Sequence, residues 1–191
     1  MKSGKYVLLL IGFLGFYTMA GAQSACATCE KPRYSDVLHF PYGLQGYFDL
    51  DQALACARAR NMPVLINFSA HNCLNCQEME ALVWSDKEVL KHLKEDYVLV
   101  TLYIDESTQT PAGEWYFSNM NNRVIKTVGS KNADFQMTRF HENTQPLYVL
   151  MDADEQLLAE PRAFNSDVKD FVTFLLEGYD RFHQTLISKK R

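Results

Sequence analysis

Two cysteines with two residues between them, Cys73 and Cys76, have the types and the spacing that thiol–disulfide exchange requires. They follow a short apolar run at residues 64–68, typical of a buried strand, and they open a segment that is predicted to be a helix. A cysteine at a helix start lies near free backbone N–H groups and the positive end of the helix dipole, and both favour the thiolate. Because the second sulfur lies within one turn of the first, Cys76 can resolve a mixed disulfide formed by Cys73.

A static disulfide and one half of a zinc site are the alternative interpretations of Cys73 and Cys76. A zinc site needs four ligands, and the natural second pair is Cys26 and Cys29. These lie in a polar segment with prolines, which would have to fold back. We therefore expect no metal and no other cofactor. The additional pair, Cys26 and Cys29, is then either a second redox pair that relays electrons or a plain disulfide in the tail.

The composition is that of one globular domain with a sizeable core, since 47% of the 191 residues are hydrophobic and 22% are charged. The formal net charge is −4, and the sequence contains no long basic stretch. Nucleic-acid binding is therefore not expected. The sequence also has no nucleotide or flavin motif, which fits a partner that is itself a protein.

The first 22 residues have the layout of a secretory signal peptide. Two lysines stand near the start, residues 6–19 carry no charge, and residues 20–22 supply the small residues of a cleavage site. An uncleaved membrane anchor and a lipid on Cys26 are the alternatives. Export would place all five cysteines in an oxidising compartment, where their odd number leaves at least one unpaired or bonded to another chain.

Helices alternate with strands along the rest of the chain, which predicts an α/β fold with a central sheet covered on both faces. Residues 23–41 are expected to be a polar tail, residues 42–191 the domain, and a hairpin is inserted near residues 106–130. The predicted elements are strands at 43–48, 64–68, 97–104, 114–117, 123–128, 147–151 and 156–160, and helices that end at Arg60, span 73–84, begin with a capping box of Ser85 and Glu88, span 131–142 and begin at Ser166.

From about residue 43 to residue 178 the sequence resembles the C-terminal thioredoxin-like domain of the periplasmic disulfide reductase DsbD. The resemblance rests on the stretches 62–69, 73–80, 97–103 and 143–150. It implies a thioredoxin-like fold with a central mixed sheet, in which Cys73 is the attacking sulfur and Cys76 the resolving one.

The resemblance also implies two further site residues. Pro146 matches the cis-proline that faces the active site, and cis peptide bonds are nearly confined to X-Pro; the alternative is an ordinary trans proline. Glu80 matches a second acid of the DsbD domain and lies one helical turn after Cys76.

Two positions depart from the family pattern. Asn67 stands in the buried strand where thioredoxin-like proteins usually have an aspartate that helps to move the proton of the buried cysteine, and an amide cannot titrate in this way. We therefore expect Glu80 to carry the proton role alone; a solvated surface acid is the alternative. Gln77 stands where a lysine or an arginine is usual, and this loss of charge should weaken thiolate stabilisation slightly.

Four other features are weaker candidates. His71, two residues before Cys73, would lower the pKa of that cysteine when protonated, although a loop histidine is often a bystander. Cys56 is expected to be a small buried apolar residue. Trp84 and the aromatic residues of the hairpin are expected to be core or cover, with contacts to a partner as the alternative.

The sequence thus predicts an exported, monomeric thiol–disulfide oxidoreductase of the periplasm, acting as a reductase or electron carrier. A membrane protein in trans would supply its electrons, and oxidised proteins would receive them. The alternatives are a disulfide oxidase or isomerase that uses the same site, a zinc- or copper-binding thiol module, and a binding module with an inert disulfide.

Overall fold

A four-stranded mixed sheet with helices on both faces positions the two cysteines. The computed structural model describes residues 29–189. The strands are β1 (Gly46–Tyr47), β2 (Val64–Ser69), β3 (Val98–Tyr103), β4 (Tyr116–Ser118), β5 (Arg123–Ile125) and β6 (Leu147–Met151), and the helices are α1 (Leu50–Arg60), α2 (Leu74–Met79), α3 (Lys87–Glu95), α4 (Val128–Phe140) and α5 (Val168–Lys189). A π-helical segment, Glu80–Trp84, continues α2. The predicted α/β architecture is confirmed.

The main sheet has the strand order β1-β3-β2-β6, in which the first three strands are parallel and β6 is antiparallel to β2. The carboxyl ends of the parallel strands meet at one end of the sheet, where β2 ends at Ser69 and leads to Cys73. Phe68 pairs with Leu147, so the preceding residue, Pro146, lies at this same end. The topology therefore brings Pro146 next to the loop that carries the cysteines.

Each face of the sheet has its own apolar core, because side chains alternate between the two faces along a strand. The π-helical segment, α3 and α5 cover one face, where Trp84, Leu93 and Leu175 are buried. The other face is covered by α1 and α4, with Leu54 and Phe135 in contact with the sheet. Every residue of the central strand β2 is buried, so the loop that follows starts from a rigid support.

The tail packs on the domain from Cys29 onward. A disulfide joins Cys29 to Cys56 in α1, with 5.2 Å between their Cα atoms. One turn earlier in α1, the side chain of Gln52 accepts a hydrogen bond from the backbone N–H of Arg33 and donates one to the carbonyl of Lys31. These contacts hold the tail along α1.

The disulfide corrects two predictions. Cys56 is buried as expected, but its sulfur is bonded and is not a free thiol. The disulfide partner of Cys29 is Cys56 and not Cys26, because the docked tail brings Cys29 against the middle of α1. Cys26 itself and the predicted signal peptide, residues 1–22, lie outside the described residues.

The inserted hairpin is present: β4 and β5 are antiparallel, with Tyr116 opposite Ile125 and Phe117 opposite Val124. Ile125 is buried, whereas Phe117 and Val124 are mostly exposed. One side of the hairpin therefore faces the domain and the other faces solvent. Phe117 is 59% exposed and therefore lies outside the core, and whether it acts as cover or as a partner contact stays a prediction.

The cap of α3 also differs from the prediction. Asp86, not Ser85, is the N-cap residue, and its carboxylate accepts hydrogen bonds from the backbone N–H groups of Glu88 and Val89. The hydroxyl of Ser85 instead donates to the carbonyl of Ala81. Two adjacent residues can each cap a helix, and the sequence alone did not show which one does.

Two further elements differ. α4 begins at Val128 and not at Lys131, because Thr127 and Ser130 form a capping box there. The predicted strand at 156–160 does not form, and its Leu157 makes only an isolated bridge to Met151. Between residues 29 and 189 we find no helix both long and apolar enough to cross a membrane.

Candidate active site

Cys73 and Cys76 form a disulfide at the amino end of α2. Cys73 is the N-cap residue of this helix, and its sulfur accepts a hydrogen bond of 3.1 Å from the backbone N–H of Cys76. In the reduced protein, the same N–H group and the helix dipole favour a negative charge on the Cys73 sulfur. The arrangement therefore suits an attacking thiolate at Cys73.

The two cysteines differ in their exposure to solvent. Cys76 is only 3% exposed, whereas Cys73 is partly exposed. Leu74, between them, exposes 79% of its surface, and Gln77 is exposed as well. A partner protein can therefore reach Cys73, with an apolar contact available beside it, while Cys76 stays below the surface.

Pro146 lies beside this loop. The Gln145–Pro146 peptide bond is cis, and Pro146 is buried at the end of the sheet where β2 leads to Cys73. The structure thus places Cys73, Cys76 and Pro146 at the same end of the main sheet. The part that Pro146 takes in the reaction stays a prediction.

His71 holds the loop between β2 and α2 to the end of β3. Its backbone N–H donates to the carboxylate of Asp105, and its Nε2 lies 2.9 Å from Oε2 of Glu106. Its imidazole ring stacks on the ring of Tyr103, with 4.5 Å between centroids. Sequence reasoning missed Asp105 and Glu106 because they lie more than 30 residues from His71.

Glu106 is a buried acid in this cluster. The hydroxyl and the backbone N–H of Thr108 donate to its Oε1 at 2.7 and 2.8 Å. These hydrogen bonds, the hydroxyl foremost, hold the pKa of Glu106 below its ordinary value despite burial, and His71 adds to the effect. Glu106 is therefore a carboxylate at neutral pH.

Glu80 is half-buried at the start of the π-helical segment, and its backbone N–H donates to the carbonyl of Cys76. Burial raises the pKa of the Glu80 carboxyl. A carboxylate with a raised pKa accepts a proton more readily near neutral pH. Glu80 is therefore less exposed to solvent than a fully solvated surface acid.

The buried strand position near Cys76 carries no acid. Asn67 is 1% exposed, and its amide nitrogen reaches only the hydroxyl of Thr101, at 3.5 Å. Its side-chain oxygen has no hydrogen-bond partner among residues 29–189, and the same holds for the indole N–H of Trp84 and the hydroxyl of Tyr148. Sequence reasoning missed Tyr148, whose one signal is a hydroxyl in an otherwise aliphatic strand.

Residues 29–189 contain no group of three or more histidine, cysteine or acidic side chains that could hold an ion. A zinc site shared with Cys29 would also need a sulfur that is bonded to Cys56.

Comparison with known proteins gives a consistent picture of the fold. A family model described as thioredoxin-like matches residues 45–153. The solved structure of DsbH oxidoreductase is similar with a TM-score of 0.55 at 16% identity, covering 75% of this chain and 91% of that one. The C-terminal domain of DsbD from Neisseria meningitidis, in its oxidised form, has a TM-score of 0.48 at 14% identity, covering 70% and 99%.

One curated protein is similar in sequence over a shorter stretch. UBX domain-containing protein 5 of Saccharomyces cerevisiae is 26% identical over 83 residues, which are 44% of this chain and 16% of the yeast protein. The chain therefore spans only a small part of the curated relative that it matches. At 16% identity, the likeness to DsbH oxidoreductase concerns the fold alone.

Proposed function

Because the chain belongs to the thioredoxin-like family, we propose that it is an exported thiol–disulfide oxidoreductase that exchanges disulfides with other proteins through Cys73 and Cys76. The observation that carries the proposal is the asymmetry of the pair. Cys73 is partly exposed and its sulfur accepts a hydrogen bond from a backbone N–H at a helix start, whereas Cys76 is buried.

The reaction follows from this asymmetry. In the reduced protein, the Cys73 thiolate attacks one sulfur of a partner disulfide, forms a mixed disulfide and releases the first partner thiolate. Cys76 then loses its proton and attacks the Cys73 sulfur, which releases the second partner thiolate. Two electrons have passed to the partner, and Cys73 and Cys76 are left as the disulfide seen in the structure.

Glu80 is the proposed acceptor of the Cys76 proton. Its backbone is bonded to the same turn of helix, and its raised pKa suits a group that must take up a proton and release it again near neutral pH. Asn67 stands where relatives have an acid, and its amide cannot take this part.

We further propose that the protein works in the reducing direction in the periplasm. The sequence resemblance to the C-terminal domain of DsbD favours a reductase or electron carrier. A membrane protein would restore the dithiol after each cycle, and oxidised proteins would be the substrates. The Cys29–Cys56 disulfide supports an oxidising compartment, since such bonds persist mainly there.

A trapping experiment tests the exchange. The reduced Cys76→Ser variant, mixed with insulin, should form an adduct that a reductant releases and that maps to Cys73, because the second attack is blocked. The Cys73→Ser variant is the matched control and should form none, with Cys26→Ser present in both proteins so that the fifth cysteine cannot react. If the Cys76→Ser variant forms no adduct while the wild-type protein leaves insulin intact, the enzymatic proposal is wrong.

The direction is tested by the reduction potential of the Cys73–Cys76 couple. A value near that of thioredoxin, about −270 mV, supports a reductase. A value near that of DsbA, about −120 mV, would instead assign the site to disulfide formation.

A further inference from the structure

Three buried polar groups lie without a hydrogen-bond partner on the sheet face that the π-helical segment helps to cover. They are the side-chain oxygen of Asn67, the indole N–H of Trp84 and the hydroxyl of Tyr148, and none of them is bonded within residues 29–189. Their residues are at most 1% exposed. Buried polar atoms are nearly always satisfied, by protein groups or by an internal water.

The three groups occupy one region of the structure. Asn67 and Tyr148 are directly opposite one another in the β2–β6 ladder, so their side chains leave the sheet on the same face. The ring of Trp84 lies 6.2 Å from the ring of Tyr148, centroid to centroid. Trp84 ends the π-helical segment that begins at Glu80. Such segments occur often at functional sites.

Glu80 is the acid whose negative charge acts on the Tyr148 hydroxyl. Burial is the main cause of the raised pKa of Tyr148, and the charge of Glu80 adds to it. The Trp84 N–H faces this hydroxyl and offsets a small part of the shift, at a geometry that does not form a hydrogen bond. The ring of Phe171 from α5 closes the other side of Tyr148 with an apolar edge.

Several other ionisable side chains lie around this region. On β3, Tyr103 also feels the charge of Glu80, and beyond it His71 and Glu106 contact each other. Arg162, whose backbone bridges to that of Tyr148, pairs with Asp170.

We propose that Tyr148 is a positioning residue for proton transfer: its hydroxyl and the Trp84 N–H hold an internal water between Cys76 and Glu80. This inference rests on the proposed exchange reaction and deepens it. A buried water needs two to four polar partners, and the Tyr148 hydroxyl, the Trp84 N–H and the Glu80 carboxylate supply three.

The step balances without any other reactant. The Cys76 thiol gives its proton to the water, and the water gives one of its own protons to the Glu80 carboxylate. Cys76 is then a thiolate, Glu80 is a neutral acid, and the water is unchanged. The thiolate attacks the Cys73 sulfur, and Glu80 later returns its proton to solvent.

The proposal also accounts for Asn67. With no acid on the strand, the proton must travel from the thiol to a carboxylate on the helix, and a water fixed by Tyr148 and Trp84 provides that route. A hydroxyl that serves only packing would be replaceable by phenylalanine with no change in reactivity, because it has no protein partner to lose.

The test separates the two chemical steps in the full chain carrying Cys26→Ser, so that the fifth cysteine cannot react, with the Cys73–Cys76 disulfide opened by mild reduction. Reaction with Ellman's reagent releases one thiolate when Cys73 attacks and a second when Cys76 resolves the adduct. In the Tyr148→Phe variant we expect an unchanged first step and a second step slowed about tenfold at neutral pH, with its pH profile moved to higher pH. Trp84→Phe should change the second step in the same sense.

Tyr97→Phe is the matched control. Tyr97 is equally buried in the same core cluster, but its hydroxyl donates to the carbonyl of Leu175. This variant should lose stability and keep the wild-type rate and pH profile of the second step.

The outcomes distinguish the two proposals. If the wild-type protein shows no fast first step, the exchange function itself fails. If the wild-type protein reacts but Tyr148→Phe has the same second-step pH profile, or if Tyr97→Phe is slowed equally, Tyr148 has only a packing role and the inference is overturned.

Discussion

The Nε2 atom of His71 lies 2.9 Å from Oε2 of Glu106, and this contact joins the cysteine loop to the segment that follows β3. Glu106 is almost completely buried and is held by Thr108 as well. A buried carboxylate with three hydrogen-bond partners stabilises the folded state when it is charged. The loop before Cys73 is therefore held in place by Glu106, an acid that takes no part in the proposed exchange reaction.

Replacing Glu106 by glutamine should lower the free energy of unfolding by about 2 kcal/mol at neutral pH. The folded-state pKa of Glu106 is lowered, so its contribution is complete above the unfolded value and disappears as the pH falls through the folded value. Urea unfolding of wild type and Glu106→Gln between about pH 3 and pH 7 should show the difference shrink on acidification. Glu88→Gln, which replaces an exposed acid on α3, is the control. If the stability difference between wild type and Glu106→Gln stays constant with pH, the expectation is wrong.

Loss of the Cys29–Cys56 disulfide should destabilise the fold without abolishing exchange. The bond spans 27 residues, and closing such a loop is worth about 3 kcal/mol. The double variant Cys29→Ser, Cys56→Ser should unfold at correspondingly lower urea and still reduce insulin. Equal stability of this variant and the wild type would mean that the hydrogen bonds of Gln52 alone hold the tail.

Glu80→Gln should make the protein more stable at neutral pH and slower in the second step of exchange. Burial raises the folded-state pKa of Glu80, so the charged form opposes folding, and this penalty vanishes as the pH falls through the raised pKa. The stability gain should therefore be present at pH 7 and absent under acid conditions, as measured by thermal unfolding. Glu78→Gln, on the exposed side of α2, should change neither property; if it matches Glu80→Gln, a general charge effect is responsible.

Asn67→Asp places an acid at the buried strand position. A carboxyl at a site only 1% exposed is difficult to ionise, so we expect a loss of roughly 3 kcal/mol in stability at neutral pH. The same acid gives Cys76 a second proton acceptor, so the second step with Ellman's reagent should be faster at high pH. Asn121→Asp in the hairpin turn is the control. If the second step is slower instead, the expectation is wrong, and the added charge at residue 67 hinders proton transfer from Cys76 to Glu80.

The parts of the fold that could be predicted are those specified by local pattern. The strands β2, β3 and β6 can be recognised in the sequence because burial on both faces leaves an unbroken apolar stretch. The spacing of Cys73 and Cys76 can be recognised as well. The position of the cysteines between a strand and a helix followed directly. Where a helix had two possible caps, as at Ser85 and Asp86, the local pattern was not sufficient.

The parts that could not be predicted depend on contacts distant in sequence. The partner of Cys29 is set by how the tail lies on α1, and the unpartnered hydroxyl of Tyr148 by what packs above β6. The close approach of α4 to the segment after β3 has a similar origin. Its Gly129 touches the backbone of Glu106 so closely that a Cβ atom would overlap it. None of these contacts leaves a periodic signal.

The packing of α5 limits how this protein can be divided. Phe174 and Leu175 are completely buried under the sheet, and Gly178 approaches Leu150 so closely that any side chain there would collide. A fragment that ended at residue 153 would keep both reactive cysteines and all four strands of the main sheet, yet the part of one sheet face that α5 covers would be open to water. We expect such a fragment to aggregate, so limited proteolysis should find no stable core that lacks the last helix.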